Sequence, residues 1–251
     1  MPSVLITGAS AGIGLELARV FAAAGYDLIL TARDQVRLEK LAADLKPAAV
    51  RVIAQDLSLP GAPEEIHRLA PNVDVLVNNA GFGVYGKFAD NSLSQELNMI
   101  QLNVAALVAL TKLYLPGMLA ARSGRIMNVA STAAFQPGPL MAIYFATKAF
   151  VLSFSEAIAN ELEGTGVTVT ALCPGPTATE FQERGKMQDS ALVKGKKMMT
   201  ARTVAEAGYQ GLMAGKTIVI PGLQNKLMVE SLRISPRSVV TKVVRRMQAP
   251  K

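Results

Sequence analysis

The N-terminal stretch places an apolar strand, a glycine-rich turn and a helix in direct succession. Residues 3–7 predict a buried strand, residues 8–14 form the turn, and residues 15–24 have helical spacing. In such a turn, backbone N–H groups at the start of the helix can face a pyrophosphate without obstruction by Cβ atoms. The glycine spacing is G-x-x-x-G-x-G, which fits a nucleotide-binding turn or an ordinary loop.

Strand-like and helix-like segments alternate over the rest of the chain. Further strands are predicted at 27–31, 49–54, 73–77, 124–130, 167–173 and 217–220, with helices at 35–45, 60–70, 92–116, 144–163 and 203–213. This alternation predicts an α/β fold with a parallel sheet of about seven strands and helices on both faces. Because neither a linker nor an internal repeat is recognisable, we expect a single domain over residues 1–251, ending in a basic amphipathic extension from about residue 223.

Polar residues follow the predicted strands at their C-terminal ends, where parallel sheets bind ligands. After the second strand, Ala32 occupies the place at which an NAD-binding fold carries an acid for the ribose 2′-hydroxyl, and Arg33 comes next. Arg33 is therefore either a binding residue for the 2′-phosphate of NADP or a solvated loop cation. Asp34 is expected to cap the following helix.

Tyr144 and Lys148 lie four residues apart on a predicted helix and therefore share one of its faces. An ammonium group near a phenol favours the phenolate, so we expect Lys148 to lower the pKa of Tyr144 from about 10. Such a phenol can give a proton to a carbonyl oxygen or take one from an alcohol. Ser131, at a strand end, can hydrogen-bond the same oxygen. Asn103, among apolar neighbours, either makes structural hydrogen bonds or orients a bound water.

The composition argues against several kinds of site and location. A single cysteine, Cys173, excludes an internal disulfide and favours a reducing compartment. A single histidine, His67, argues against a histidine-dependent triad or a multi-histidine site, so we expect no bound metal. No signal peptide is recognisable, and the apolar runs fall short of the roughly 20 residues that span a bilayer. We therefore expect a cytoplasmic protein, soluble or at most peripheral to a membrane.

The chain is basic, with 26 Lys and Arg against 19 Asp and Glu and a net charge of +7. This charge suits an anionic cofactor or substrate, an anionic membrane surface or nucleic acid. Much of the excess follows Lys186 without aromatic residues beside it, which argues against a nucleic-acid partner. Residues 181–200 show little periodicity, and we expect them to form a mobile flap over the site.

Seven motifs in a fixed order make residues 7–220 resemble the short-chain dehydrogenase/reductase family. They are T-G-x-x-x-G-I-G at 7–14, D-L at 56–57, N-N-A-G at 78–81, Asn103, Ser131, Y-x-x-x-K at 144–148 and P-G-x-x-x-T at 174–179. The resemblance implies a doubly wound Rossmann-type fold and a nicotinamide cofactor. Ala11, in the glycine turn, is not basic, so the expected preference for NADP(H) over NAD(H) rests on Arg33, with help from Ser10.

The resemblance also implies a role for each site residue. Tyr144 is the acid/base, Ser131 holds the substrate oxygen, Lys148 lowers the Tyr144 pKa and binds the nicotinamide ribose, and Asn103 supports a water in a proton relay. The residues implied to bind the cofactor, besides Tyr144 and Lys148, are Gly8, Ser10, Gly12, Ile13, Gly14, Arg33, Asp56, Leu57, Asn79, Ala80, Gly81, Pro174, Gly175, Thr177 and Thr179.

The first functional hypothesis is an NADP-dependent carbonyl reductase or alcohol dehydrogenase acting on a small-molecule, lipophilic ketone or aldehyde. The second is a 3-oxoacyl-thioester reductase, because the basic residues 186–197 would suit an anionic carrier. The third is a non-catalytic NADP(H)-binding sensor or scaffold, against which the complete set of catalytic residues argues. By resemblance we also expect a homo-oligomer, a dimer or tetramer, formed through the long helices 92–116 and 144–163.

The C-terminal segment, residues 236–247, predicts an amphipathic helix. Its apolar face carries Val239, Val240, Val243, Val244 and Met247, and its other faces carry Arg237, Lys242, Arg245 and Arg246. Three roles remain open for this helix: a peripheral membrane contact, a cover over the substrate cleft and a contact between subunits.

Overall fold

The computed structural model describes residues 1–181 and 198–249 and is built around a parallel sheet. Its strands are β1 (Ser3–Thr7), β2 (Asp27–Ala32), β3 (Val50–Ala54), β4 (Val75–Asn78), β5 (Gly124–Val129), β6 (Val167–Leu172) and β9 (Ile218–Val219), and a separate short pair consists of β7 (Thr177–Ala178) and β8 (Met199–Thr200). The order in the main sheet is β3-β2-β1-β4-β5-β6-β9. The predicted doubly wound, seven-stranded Rossmann-type sheet is confirmed.

Helices cover both faces of the sheet. They are α1 (Gly12–Ala23), α2 (Gln35–Asp44), α3 (Ala62–Leu69), α4 (Leu93–Ile100), α5 (Leu107–Ala120), α6 (Ala142–Glu161), α7 (Ala201–Met213), α8 (Leu223–Ile234) and α9 (Arg237–Gln248). Because successive side chains of a strand point to opposite faces, Val4 and Ile6 belong to the core under α1, α2 and α7. Leu5 lies on the other face, in the core under α3 and α5.

The winding of the chain creates a crevice beside β1. From β1 the strands proceed outward to β3, and the chain then returns to form β4 on the other side of β1. Helices that leave β1 and β4 therefore lie on opposite faces of the sheet. Ligands of doubly wound sheets bind at such a reversal, beyond the C-terminal ends of the strands.

The helix predicted for residues 92–116 differs from the observed one. Gln101–Ala106, which includes Asn103, forms a π-helical turn between α4 and α5, and α5 continues past Pro116 to Ala120. An interior proline removes one backbone hydrogen bond, which commonly ends a helix. Pro116 and Lys112, one turn before it, are both exposed, so water can replace the missing bond.

Two helical stretches, Leu93–Ala120 and Ala142–Glu161, are long and apolar enough to cross a membrane by length and composition alone. Polar residues such as Asn103 and Lys148 interrupt their apolar runs, so uninterrupted hydrophobicity in the sequence does not reveal them. Both of these polar side chains are buried against the domain. Each stretch therefore packs against the domain through one of its faces.

The C-terminal part contains two helices where the sequence predicted one. Helix α9 corresponds to the predicted amphipathic helix, and α8 was not predicted. The predicted flap at 181–200 falls largely on residues 182–197, which lie outside the described residues, as do the basic residues 186–197.

Candidate active site

A cavity of about 1540 Å³ lies beyond the C-terminal ends of the central strands. Nearly all of the predicted site residues line it: Gly8, Ser10, Gly12, Ile13, Arg33, Asp56, Leu57, Asn79, Ala80, Gly81, Ser131, Tyr144, Lys148, Pro174, Gly175, Thr177 and Thr179. The two exceptions, Gly14 and Asn103, lie behind the cavity wall and act on its shape. The predicted residues therefore form one contiguous site, built from the segments that follow six strands and from helix α6.

The glycine turn between β1 and α1 presents backbone to this cavity. Gly8 and Gly12 have φ angles of 66° and 59°, in the left-handed region that side-chain-bearing residues rarely adopt. A Cβ atom on Gly14 would lie 2.4 Å from both Asn79 Nδ2 and the Gly8 carbonyl oxygen. Asn79 Nδ2 donates to the carbonyl oxygens of Thr7, at 2.8 Å, and of Gly8, at 3.2 Å. A turn locked in this way, opening a helix, fits a dinucleotide pyrophosphate.

Arg33 lies at the end of the cavity next to β2 and β3. Its side chain is 70% exposed, and one guanidinium nitrogen lies 3.8 Å from a carboxylate oxygen of Asp56. An ion pair that long and that exposed contributes little to stability, so the guanidinium is available to a ligand. Asp34 caps α2 by accepting from the Arg37 backbone N–H at 3.0 Å, as expected.

Tyr144 and Ser131 meet at the other end of the cavity. The 3₁₀ turn Thr132–Phe135 follows Ser131, whose hydroxyl oxygen accepts the Ala133 N–H at 3.1 Å and is thereby oriented. Tyr144 is half-buried at the cavity wall, and this burial raises the pKa of its phenol to about 12, while its hydrogen bond with Ser131 lowers the pKa by less. The direction is opposite to the one that the sequence predicted from Lys148.

Lys148 is buried one helical turn after Tyr144, and its geometry explains that difference. Its ammonium group donates to the Val129 carbonyl oxygen at 2.7 Å and lies 5.8 Å from the centroid of the Tyr144 ring. Burial lowers the pKa of Lys148 from 10.5 to about 8. The desolvation of each group thus outweighs the attraction between the ammonium and the phenolate.

Asn103 holds the loop after β4 in place. Its Nδ2 atom donates to the Phe82 carbonyl oxygen at 2.9 Å and to Thr147 Oγ1 at 3.2 Å, and its Oδ1 atom accepts the Phe82 N–H at 3.1 Å. A Cβ atom on Gly81 would lie 2.9 Å from that Oδ1 atom. The side chain therefore makes structural hydrogen bonds, and its support of a relay water stays a prediction.

The wall opposite the sheet is apolar, and most of its residues were not predicted from the sequence. Helix α8 contributes Met228 and Leu232; Met141, which precedes α6, and Phe145, in the first turn of α6, also contribute. Phe145, Met141 and Leu232 also pack in the cluster beside Tyr144. The one local feature that could have indicated these wall residues is the four-residue spacing of Met228 and Leu232. Whether a residue lines the wall depends on how α8 folds back over the sheet.

Helix α9 completes the same wall. Val240 and Val244 are buried against the cluster beside Tyr144, and Val239, Val243 and Met247 are exposed at the cavity. The Tyr85 hydroxyl donates to the backbone carbonyl of the last residue of α9. Of the three roles left open for this helix, a cover over the cleft is the one observed within a single chain.

Comparison with known proteins agrees with this site. The family model for short chain dehydrogenases matches residues 2–189. The chain belongs to that family. It is therefore an oxidoreductase whose fold binds a nicotinamide cofactor. Within the described residues, no group of three or more His, Cys, Asp or Glu side chains could hold a metal ion.

Individual relatives extend the similarity beyond the matched region. A ketoacyl reductase, HetN, from Nostoc sp. is 32% identical over 94% of this chain and 86% of its own length. A very-long-chain 3-oxoacyl-CoA reductase from Pyrenophora tritici-repentis is 35% identical over 82% of this chain, which spans 63% of that relative. The structure of a short-chain dehydrogenase from Sphingobium yanoikuyae in complex with NADPH has a TM-score of 0.85 and 34% identity, covering 100% of this chain and 99% of that one.

Proposed function

We propose that the protein is an NADP(H)-dependent carbonyl reductase that converts a bulky, apolar ketone or aldehyde to an alcohol. The observation that carries the proposal is the meeting of the Tyr144 phenol with Ser131 at one end of a cavity whose other end has a backbone turn suited to a dinucleotide. The bound nicotinamide would supply the hydride, and the protein would supply orientation and the proton.

The proposed proton donor is Tyr144. A phenol with a pKa of about 12 is protonated at neutral pH, so it can donate to a carbonyl oxygen that is becoming an alkoxide. Ser131 would donate to the same oxygen and stabilise the developing charge. The Lys148 ammonium, whose positive charge lies 5.8 Å from the ring centroid, would stabilise the phenolate that remains after Tyr144 has given up its proton.

The preference for NADP(H) is supported by the residues at the end of β2. Ala32 offers no carboxylate to a ribose 2′-hydroxyl, and the exposed Arg33 beside it suits a phosphate. The NADPH complex of the Sphingobium yanoikuyae relative is consistent with this choice.

The apolar character of the substrate is supported by the wall built from α8 and α9. A dehydrogenase from Comamonas testosteroni that is described as specific for bulky-bulky ketones is 29% identical, with a TM-score of 0.80 over 93% of this chain and 92% of that one. The second candidate, a 3-oxoacyl-thioester reductase, is supported by the names of the Nostoc and Pyrenophora relatives. A sensor without catalysis remains the alternative from another class.

We also propose that the chain forms a homo-oligomer through α4 and α6, in the cytoplasm. Leu93, Leu97 and Ile100 are exposed along α4, at spacings of four and three, and form one apolar stripe. Phe150 is exposed on α6 and stacks on Phe154 with ring centroids 5.8 Å apart. Light scattering at several concentrations tests this assignment, and a monomer throughout would contradict it.

The test of the proposed function follows nicotinamide absorbance with NADPH and with NADH in parallel, against apolar ketones, aldehydes, steroids and 3-oxoacyl thioesters. Replacement of Arg33 by Ala should raise the KM for NADPH about ten- to a hundredfold, as expected for a lost hydrogen bond to a charged group, and leave the KM for NADH unchanged. Arg68→Ala, which removes an exposed arginine far from the cavity, is the matched control. Equal use of both cofactors would contradict the role of Arg33, and tight NADPH binding without turnover would favour the sensor.

A further inference from the structure

The mouth of the cavity is bordered by exposed apolar side chains from both C-terminal helices. Leu223 on α8 and Val239, Val243 and Met247 on α9 line the cavity and are exposed. Leu227 and Ile234 continue the stripe along α8 without touching the cavity, since residues 223, 227 and 234 are spaced by four and seven. We call these six residues the apolar rim. Their exposed fractions run from 38% for Met247 to 88% for Ile234.

Cations stand directly beside this rim. Lys242 and Arg246 follow Val239 and Val243 by three residues and so lie next to them on the exposed surface of α9. Between residues 223 and 248 there are six Lys or Arg and a single acidic residue, so these two helices hold +5 of the net +7 of the chain. Among the described residues, no carboxylate pairs with any of the four cations of α9.

From this combination we propose that the apolar rim docks on an anionic lipid surface, and that the carbonyl substrate enters the cavity from that surface. Exposed apolar side chains flanked by Lys and Arg are the pattern of helices that lie in the interfacial region of a bilayer. Because Val240 and Val244 are already buried in the protein, only the exposed half of α9 can enter the interface. The contact is therefore peripheral and reversible.

A second copy of the chain fits this surface less well. In a two-fold symmetric contact the same patch would meet itself, which would bring two helix pairs, each of net charge +5, together. An anionic leaflet instead attracts the cations that border the rim. The cations and the apolar side chains of the rim therefore both favour an anionic lipid surface as its partner.

The docking is tested by co-sedimentation of the full chain with phosphatidylcholine vesicles, with and without phosphatidylglycerol. Wild-type protein should bind the anionic vesicles and be released by salt. The triple variant Lys242→Gln, Arg245→Gln, Arg246→Gln should bind about a hundredfold more weakly, since each Lys or Arg near an anionic surface contributes roughly a factor of five. The matched control removes three exposed charges elsewhere on the protein, by Lys40→Gln, Lys46→Gln and Lys216→Gln. It should change vesicle binding by less than about threefold, because salt screens most of the long-range attraction between these charges and the lipid surface.

The apolar part is tested by Leu227→Asn with Ile234→Asn, which leaves the cavity lining intact. These changes should weaken vesicle binding about tenfold, whereas Val36→Asn, an exposed apolar residue on α2, should leave it unchanged. Absence of wild-type binding to anionic vesicles, or equal losses in the control variants, would overturn the docking. So would a change of oligomeric state in the rim variant without a change in vesicle binding.

The entry route for the substrate rests on the proposed function, whereas vesicle binding does not. Protein that binds anionic vesicles but reduces no carbonyl keeps the docking surface and loses the proposed function. Protein that reduces a soluble ketone but does not bind vesicles keeps the proposed function and loses the docking surface. If the route is correct, turnover of a vesicle-dissolved ketone should fall with loss of docking in the triple variant, while turnover of a soluble ketone stays the same.

Discussion

Lys148 carries a buried charge, and its replacement by methionine has a pH-dependent effect on stability that can be worked out from the structure. The side chain is 6% exposed, and its ammonium group donates to one protein acceptor, the Val129 carbonyl oxygen. Burial lowers its pKa from 10.5 to about 8, so the folded protein holds this proton less tightly than the unfolded chain does. Methionine has a similar length and carries no charge.

Between pH 8 and pH 10.5 the unfolded chain binds more protons at this position than the folded protein, so the free energy of unfolding rises with pH in that window. Each tenfold change in proton affinity corresponds to about 1.4 kcal/mol. The charged Lys148 therefore destabilises the fold by roughly 3 kcal/mol at pH 7, and about 2 kcal/mol of this is regained by pH 10.

Urea unfolding of wild type and Lys148→Met between pH 7 and pH 10 measures this effect. Burial also raises the pKa of Cys173 and of Tyr144 to about 12, and the stability that these groups contribute falls above about pH 9. Only the difference between the two proteins isolates Lys148, and it should shift by about 2 kcal/mol in favour of wild type as the pH rises. For Lys40→Met, at an exposed position, the free energy of unfolding should change with pH as it does in wild type. The same pH dependence in Lys148→Met and wild type would refute the reasoning.

Three further changes have defined outcomes. Gly14→Ala introduces a Cβ atom 2.4 Å from Asn79 Nδ2, so it should cost about 1–3 kcal/mol in thermal unfolding and weaken NADPH binding, measured by fluorescence. Its control, Gly117→Ala, has no atom closer than 4.0 Å to the new Cβ and sits inside α5, so it should stabilise by about 0.5–1 kcal/mol. Ser131→Ala should lower kcat about 10²–10³-fold in steady-state assays with the NADPH dissociation constant unchanged; an unchanged kcat would exclude Ser131 from contact with the reacting oxygen.

The sequence was sufficient for the sheet and for the site at its edge. Each strand is a short apolar run that ends in polar or glycine residues, and the C-terminal ends of parallel strands meet at one edge. Gly8, Arg33 and Ser131 therefore converge although more than 120 residues separate the first from the last. Local pattern specifies this arrangement, because it fixes both the direction of every strand and the position of its end.

What the sequence did not predict depends on packing between distant segments. Helix α8 has three exposed apolar residues and one fully buried valine, Val229, so its amphipathic pattern is weak. The π-helical turn contains Asn103, whose side chain bonds to the backbone of Phe82 in a separate segment, a contact that local sequence does not reveal. Burial determines the direction of the Tyr144 pKa shift and outweighs the nearby Lys148. The degree of burial is a property of the complete fold.

The central claim, that Tyr144 transfers a proton in a nicotinamide-dependent carbonyl reduction, is tested most directly by Tyr144→Phe. Oxidation of NADPH in the presence of the best ketone of the substrate panel should fall by at least a hundredfold, while the NADPH dissociation constant changes by less than about threefold. Turnover in Tyr144→Phe close to that of wild type would contradict the account, because the proton would then have to come from a donor other than the Tyr144 phenol.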